Sequence, residues 1–315
     1  MPASSKHPIR IRMGGYGPPA TTHSRALKLM GDRLEAEFGA DVDVKYIWNV
    51  MDLGYRGDDL LWMVEDGILT LAYQSTSYLT DRVPELEFAD LPFLFSSLEH
   101  ARSAMDGGLG EYLTERIETH IGYRLLGYLE NGYRHLSNRL RTVRAPADLA
   151  GMRIRLLPSE MHCRIFELLG AIPVPCDLKP ALDAIASGAV DAQENPLANT
   201  VTYGVHKLHR YHTLTGHSYL SRGVFVNRAA FDGWPAPFRT AMRAAAREAV
   251  LFQRQLAVEE ELIARKAIED EGCEIVELTP GERDQFARAV GPLHGEARKR
   301  FGNAIFTLAE GAQRA

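Results

Sequence analysis

The sequence predicts an α/β fold built as two lobes, on three observations. A strand–helix–strand–helix–strand order fits within the first 75 residues, and the same order returns between residues 152 and 195. From Phe238 to Glu271 neither proline nor glycine interrupts the chain. Parallel strands joined by short helices form open sheets covered by their own crossovers. A length of 315 residues suits two domains at roughly 100–200 residues each.

In the first unit, Ile9, Ile11 and Met13 alternate as a strand does, and Leu27, Met30, Leu34 and Phe38 follow at helical spacing, with Gly39 placed to cap the helix. Val42, Val44, Tyr46 and Trp48 alternate again. "DDLLWMVED" reads as a short helix stopping at Gly67, and "ILTLAYQS" as the third strand. In the second unit "MRIRLL" is a strand, "SEMHCRIFELLG" a helix ending at Gly170, and "AIPVPC" a strand. "KPALDAIASG" is a helix ending at Gly188, and "AVDAQEN" is a third strand.

A helix from about residue 236 to 271, with Phe238, Met242, Ala245, Ala249, Phe252 and Leu256 on one face, would extend about 54 Å at about 1.5 Å per residue. That exceeds one lobe, so it is expected to cross both. Thr279 with Glu282, and Pro280 between them, form a capping-box pattern for a helix start.

Composition excludes several functions. A net charge of −5 is wrong for neutralising phosphates, so nucleic acid is not the expected partner. No apolar run approaches the roughly 18 residues of a membrane span, so no membrane insertion is expected. "MPASSKHPIRIRM" lacks the apolar core of an export signal, which fits a cytoplasmic chain or one whose signal has been removed. Cys163, Cys176 and Cys273 make no disulfide framework. Reduced thiols are expected, with a Cys163–Cys176 bridge as the alternative.

No nucleophile elbow, metalloprotease helix or phosphate loop occurs. "GGYG" lacks the full dinucleotide fingerprint, and no acid ends the second strand to hold a ribose. The chain is therefore read as no enzyme, with no cofactor. His206, His209, His212 and His217 lack a Cys or carboxylate at ligand spacing, so they are read as solvated histidines rather than a metal site.

The polar residues gather at strand ends, where open α/β sheets bind ligands. "SGAVDAQENPLANT" crowds Asp191, Gln193, Glu194 and Asn195 at the end of an apolar strand, matching "EDGILTLAYQSTSYL" in the first unit. Tyr16, Trp48, Tyr73 and Tyr78 also fall at strand ends. Arg155 lies inside the apolar "RIRLL". A buried guanidinium needs an anion, and its fork fits a carboxylate. That anion is either a ligand's or an internal Asp or Glu, and Arg134 carries the same ambiguity. Gln74, Ser75 and Thr76 would suit a ligand's hydroxyl groups.

"NGYRHLSN", "PADLAGMRIRLLPS", "LGAIPVPCDL" and "GAVDAQENPLANT", together with "DLGYRGDDLLWMVEDGILTLAYQSTSYL" and "ADLPFLFSSLEHARSAMDG", resemble the solute-binding proteins of tripartite ATP-independent periplasmic (TRAP) transporters, the DctP family. The resemblance implies a two-lobed periplasmic-binding-protein-like fold with hinge strands and a long helix spanning both lobes. The first lobe is expected at 1–131 plus about 219–258, the second at 132–218 plus about 259–315.

It also implies a small organic acid held in a cleft between the lobes and delivered to membrane permease subunits by a monomeric, periplasmic protein. The family's carboxylate-binding arginine falls on Arg155, its less constant second arginine on Arg134, and its asparagine contact on Asn195. First-lobe contacts would come from Tyr16, Gln74, Ser75 and Tyr78. Leu178 departs from the family, standing where many members carry a ring. A ligand-sensing module using the same cleft, or a small-acid enzyme on this fold, are the alternatives.

Overall fold

A computed structural model describes residues 7–311; the expected lobe ends at 1–6 and 312–315 lie outside the described residues. The chain begins with β1 (Ile9–Gly14), α1 (Thr22–Phe38), β2 (Val42–Ile47), α2 (Asp59–Glu65), β3 (Leu71–Ser75), α3 (Leu98–Asp106) and α4 (Gly108–His120). It continues through β4 (Tyr123–Asn138), β5 (Arg153–Leu156), α5 (Glu160–Leu168), β6 (Ile172–Pro175), α6 (Leu178–Ser187), β7 (Ala192–Asn195) and α7 (Leu197–Thr202). Then come β8 (Tyr211–Asn227), α8 (Arg228–Gly233), α9 (Ala236–Asp270), β9 (Glu274–Glu277), α10 (Pro280–Val290), α11 (Pro292–Phe301) and α12 (Asn303–Gly311).

The chain divides into two compact units. The first takes the chain up to Ser75, then Thr114–Glu130 and Arg222–Ala257. Its strand order is β2-β1-β3-β8: β1 runs parallel to β2 and β3, and β3 is antiparallel to β8 from Leu71↔Val226 to Ser75↔Arg222. Ile11, Met13, Leu27, Met30, Leu34, Phe225, Phe238 and Met242 are buried there. Gly31 on α1 lets the Tyr46 phenol of β2 lie against the helix, since a Cβ at that position would force the ring to shift.

The second unit takes Thr76–Leu113, Asn131–Ser221 and the chain from Val258 onward. Its order is β6-β5-β7-β4: β5 runs parallel to β6 and β7, and β7 is antiparallel to β4. Both units therefore share one plan, three parallel strands closed by an antiparallel one. α6 ends where Gly188 turns to φ 72°, a conformation costly for other residues.

The expected lobe limits need one correction. Residues 76–113 belong to the second unit, not the first. The reason is long-range packing. Phe88 meets Phe306 edge-on with ring centres 4.7 Å apart, His100 Nε2 bonds the Ala309 carbonyl at 2.9 Å, and the Phe93 amide donates to the His217 carbonyl at 2.7 Å. β4, β8 and α9 each contribute residues to both units, α9 changing over between Ala257 and Val258.

At α10, Thr279 Oγ1 accepts from the Glu282 amide at 3.3 Å, while Glu282 Oε2 accepts from the Thr279 amide at 2.8 Å. Both orphan donors of the helix start are thereby satisfied. Thr279→Ala is expected to cost about 1 kcal/mol and to lower the thermal midpoint by about 2 °C in calorimetry.

Candidate functional site

Arg155 stands on the middle strand of three in the second unit, on a rung with Val174 of β6 and Gln193 of β7. It is 3% exposed. Its Nε and Nη2 both donate to the Cys176 carbonyl, at 3.1 and 2.7 Å. Among the described residues no Asp or Glu pairs with it and its Nη1 has no hydrogen-bond partner. A main-chain carbonyl orients the fork but leaves its charge unmatched.

The neighbouring arginines differ. Arg153 donates from Nε and Nη2 to Asp191 at 2.9 and 3.0 Å, and Arg139 adds a bond to the same carboxylate at 2.6 Å. These hydrogen bonds, Arg153 first, hold the Asp191 carboxyl well below the usual range. Arg134, expected to meet a ligand, forks instead onto Glu194, with Nε on Oε2 and Nη2 on Oε1. Both residues are buried. Burial alone would raise Glu194, yet Arg134 and His217 outweigh it and keep the carboxyl ionised. Within the chain the anion of Arg134 is therefore Glu194, the internal alternative that its sequence left open.

Asn195 is two residues beyond Gln193 on β7, so it shares the face of the Arg155 rung. Its Oδ1 accepts from Asn199 Nδ2 at 3.2 Å and its Nδ2 donates to Gln193 Oε1 at 3.4 Å. Tyr78, expected in the first lobe, lies in the second unit, where its hydroxyl donates to Asp177 Oδ1 at 2.9 Å, one residue from the carbonyl that holds Arg155. The Cys176 amide in turn bonds the Leu156 carbonyl at 3.0 Å.

Three further expected residues lie in the first unit. Tyr16 is buried, its ring 5.3 Å from Tyr73 and beneath the Arg222 guanidinium at 5.0 Å. The Gln74 amide is engaged at both ends: Nε2 donates to the Gly57 carbonyl at 2.6 Å and Oε1 accepts from the Ser75 amide at 2.8 Å. Ser75 is directly opposite Arg222 on β8. Sequence reasoning missed Arg222, although an arginine in the apolar "YLSRGVFVN" carried the same signal as Arg155. Arg222 Nη1 donates to His23 Nδ1 at 3.1 Å, and His23 Nε2 bonds the Glu130 carbonyl at 3.0 Å. This pair of bonds fixes His23 as a neutral ring; burial first, then Arg222, lowers its pKa.

Also unforeseen is a buried cluster around Asp90, which accepts from Ser77 Oγ at 2.8 Å and Ser159 Oγ at 3.4 Å, with His162 Nδ1 at 3.8 Å. Burial pushes the Asp90 carboxyl up to about 7 against the Ser77 bond and Arg134.

The histidines read as solvated are buried: His206, His209, His212 and His217 are each less than a tenth exposed. For His212 and His217 the reason is that the stretch from Tyr211 is interior strand. Ser137 Oγ holds His209, the His209 carbonyl holds His212, and Thr215 Oγ1 holds His217. Among the described residues no group of three His, Cys, Asp or Glu side chains is arranged to hold a metal ion. Cys163, Cys176 and Cys273 are free thiols, so the alternative bridge is not formed. No helix of the described residues is long and apolar enough to cross a membrane.

Comparison with known proteins bears on this arrangement. Residues 13–300 match the family model "Bacterial extracellular solute-binding protein, family 7", DctP. A solute-binding protein of Verminephrobacter eiseniae is 30% identical over 250 residues, covering 79% of this chain and 74% of its own. A TRAP periplasmic solute-binding protein of Bordetella bronchispeptica, with density interpreted as pantoate, superposes at a TM-score of 0.89 and 26% identity, covering 96% of this chain and 98% of that one. Another from Ralstonia eutropha H16, with bound (S)-2-acetolactate, gives 0.90 and 26%, covering 97% and 99%. The fold is thus that of the two-lobed TRAP binding proteins. With the match running over nearly the whole chain, it belongs to the DctP family of bacterial extracellular solute-binding proteins.

Proposed function

We propose that this chain captures a small organic acid outside the cytoplasm, takes its carboxylate on Arg155, and delivers it to the membrane subunits of a TRAP transporter without altering it. The observation that carries this reading is the unmatched guanidinium. Arg134 is paired with Glu194, and Arg139 and Arg153 share Asp191, while among the described residues Arg155 has only a main-chain carbonyl. A fork held in place by a neutral partner is preorganised for a carboxylate and loses little entropy on binding it.

Asn195, on the same sheet face, adds a neutral donor beside it. Pantoate and 2-acetolactate, the acids found with the two relatives above, are small hydroxylated acids, and we extend that ligand class to this chain. The family description, an extracellular solute-binding protein, supports the extracytoplasmic location and, with it, a membrane permease as partner.

A thermal-shift screen tests the proposal directly. Pantoate, 2-acetolactate and other small hydroxy acids are expected to raise the midpoint, since ligand at 100 times its Kd stabilises by about 2.7 kcal/mol. Neutral lactones or amides of the same acids are expected to leave it unchanged. The bound acid should be recovered intact. A panel in which carboxylates and neutral analogues behave alike would remove Arg155 from its role, and turnover of the acid would replace the receptor by an enzyme.

A further inference from the structure

Beyond Arg155, five side chains of the second unit form a continuous line of hydrogen bonds. Asn199 Nδ2 donates to Asn131 Oδ1 at 3.1 Å and to Asn195 Oδ1 at 3.2 Å. Asn195 Nδ2 donates to Gln193 Oε1 at 3.4 Å, and Gln193 Nε2 donates to Thr200 Oγ1 at 3.2 Å. Thr200 Oγ1 donates its own hydrogen to the Pro196 carbonyl at 3.1 Å. An amide has two faces of opposite polarity, so an isolated Asn or Gln can present either its oxygen or its nitrogen. This line has only one direction. A main-chain carbonyl can only accept, which commits the single hydroxyl proton of Thr200.

We propose that Thr200 is a positioning residue that sets the direction of this amide line and thereby makes Asn195 a hydrogen-bond donor, not an acceptor, towards its ligand. With its proton committed, Thr200 accepts from Gln193, which turns the Gln193 oxygen to Asn195 and the Asn195 oxygen to Asn199. Both hydrogens of Asn199 are used. Asn195 keeps one amide hydrogen without a partner among the described residues.

Arg155 has no acceptor atom, the Asn195 oxygen is already turned to Asn199, and the two residues stand on one sheet face. The hydrogens that the pair leaves unused therefore favour acceptors in the matching part of a ligand: a carboxylate, or a carboxylate with an adjacent carbonyl. An ammonium or primary amide in that position would meet donor against donor. This selectivity rests on the carboxylate reading above, whereas the direction of the line does not.

Thr200→Val and Thr200→Ser decide the matter, each with two readouts. In ligand-free protein, the side-chain amide signals of Gln193 and Asn195 in proton–nitrogen NMR are expected to keep two well-separated hydrogens in wild type and Thr200→Ser. In Thr200→Val they should move towards each other as the amides lose their fixed direction. In calorimetry with pantoate, Thr200→Val should bind about tenfold more weakly, the loss of roughly one hydrogen bond's worth of orientation, and Thr200→Ser should restore affinity.

Pantoate should also lose about tenfold of its advantage over its neutral lactone in Thr200→Val, which a merely looser fold would not select. Unchanged amide signals in Thr200→Val would overturn the proposal, as would pantoate affinity within twofold of wild type. Should wild type fail to bind pantoate while the amide signals respond as expected, the directional line stands and the ligand class falls.

Discussion

Arg155→Ala is expected to weaken binding of the acid by two to three orders of magnitude while the protein stays folded. The binding loss follows from removing one partner of a buried, hydrogen-bonded charge pair, about 3–5 kcal/mol, against a total near −8 kcal/mol for micromolar affinity. The fold survives because, among the described residues, Arg155 bonds only to the Cys176 carbonyl, and an orphaned carbonyl costs about 1–3 kcal/mol at most. Arg155→Lys should fail nearly as badly, since an ammonium cannot form the fork.

Arg134→Ala provides the contrast. It strands the buried Glu194 carboxylate, so it should destabilise the whole protein rather than select against ligand. Isothermal titration with thermal midpoints on all three variants reads both effects. An Arg155→Ala protein with wild-type affinity would end the assignment.

Acid should unfold this protein early. His23, His135, His162, His209 and His212 all have pKa values lowered by burial: His135, His162 and His209 to about 3, His212 to about 4. In the unfolded chain each takes up a proton near pH 6.5, whereas in the folded protein each stays neutral far below that. Stability contributed by the neutral rings is therefore complete above pH 6.5 and is lost as pH falls towards the folded values. Each ring costs about 1.4 kcal/mol per pH unit across that window.

Asp90 opposes them, because its raised pKa returns stability as it gains a proton below about 7. The balance is still roughly 5 kcal/mol per pH unit, against a usual total of about 5–15 kcal/mol. The thermal midpoint should fall steeply between pH 6.5 and 5. His212→Gln, whose amide nitrogen can still reach the His209 carbonyl, should flatten the slope by about one proton. A midpoint constant from pH 7 to 5 would show these rings to be hydrated.

The parallel strands and their helices were legible in the sequence because their signals are local. The 35-residue α9 and the Thr279 capping box were equally plain. β4 and β8 were not, because strand alternation needs one wet face. β8 buries nearly every residue, polar ones included, from His212 onward, so His212, His217 and Arg222 looked like loop or surface positions. Residues 76–113 were misassigned because their partners, Phe301, Phe306 and Ala309, lie some two hundred positions away. Arg134 and Arg155 read alike for the same reason. Only the fold reveals that Glu194, sixty residues along, already answers the first.

The interleaving of the two units limits how this protein can be taken apart. Since each draws on three separated stretches of chain, no single fragment cut from the reading frame carries a whole one. Breaking the polypeptide at Ala257, nearly two thirds of the way along α9, would strip the second unit of everything from Val258 while leaving its apolar interior behind. Half-proteins made for separate study should precipitate, and a working split version should appear only when both pieces are synthesised in the same cell.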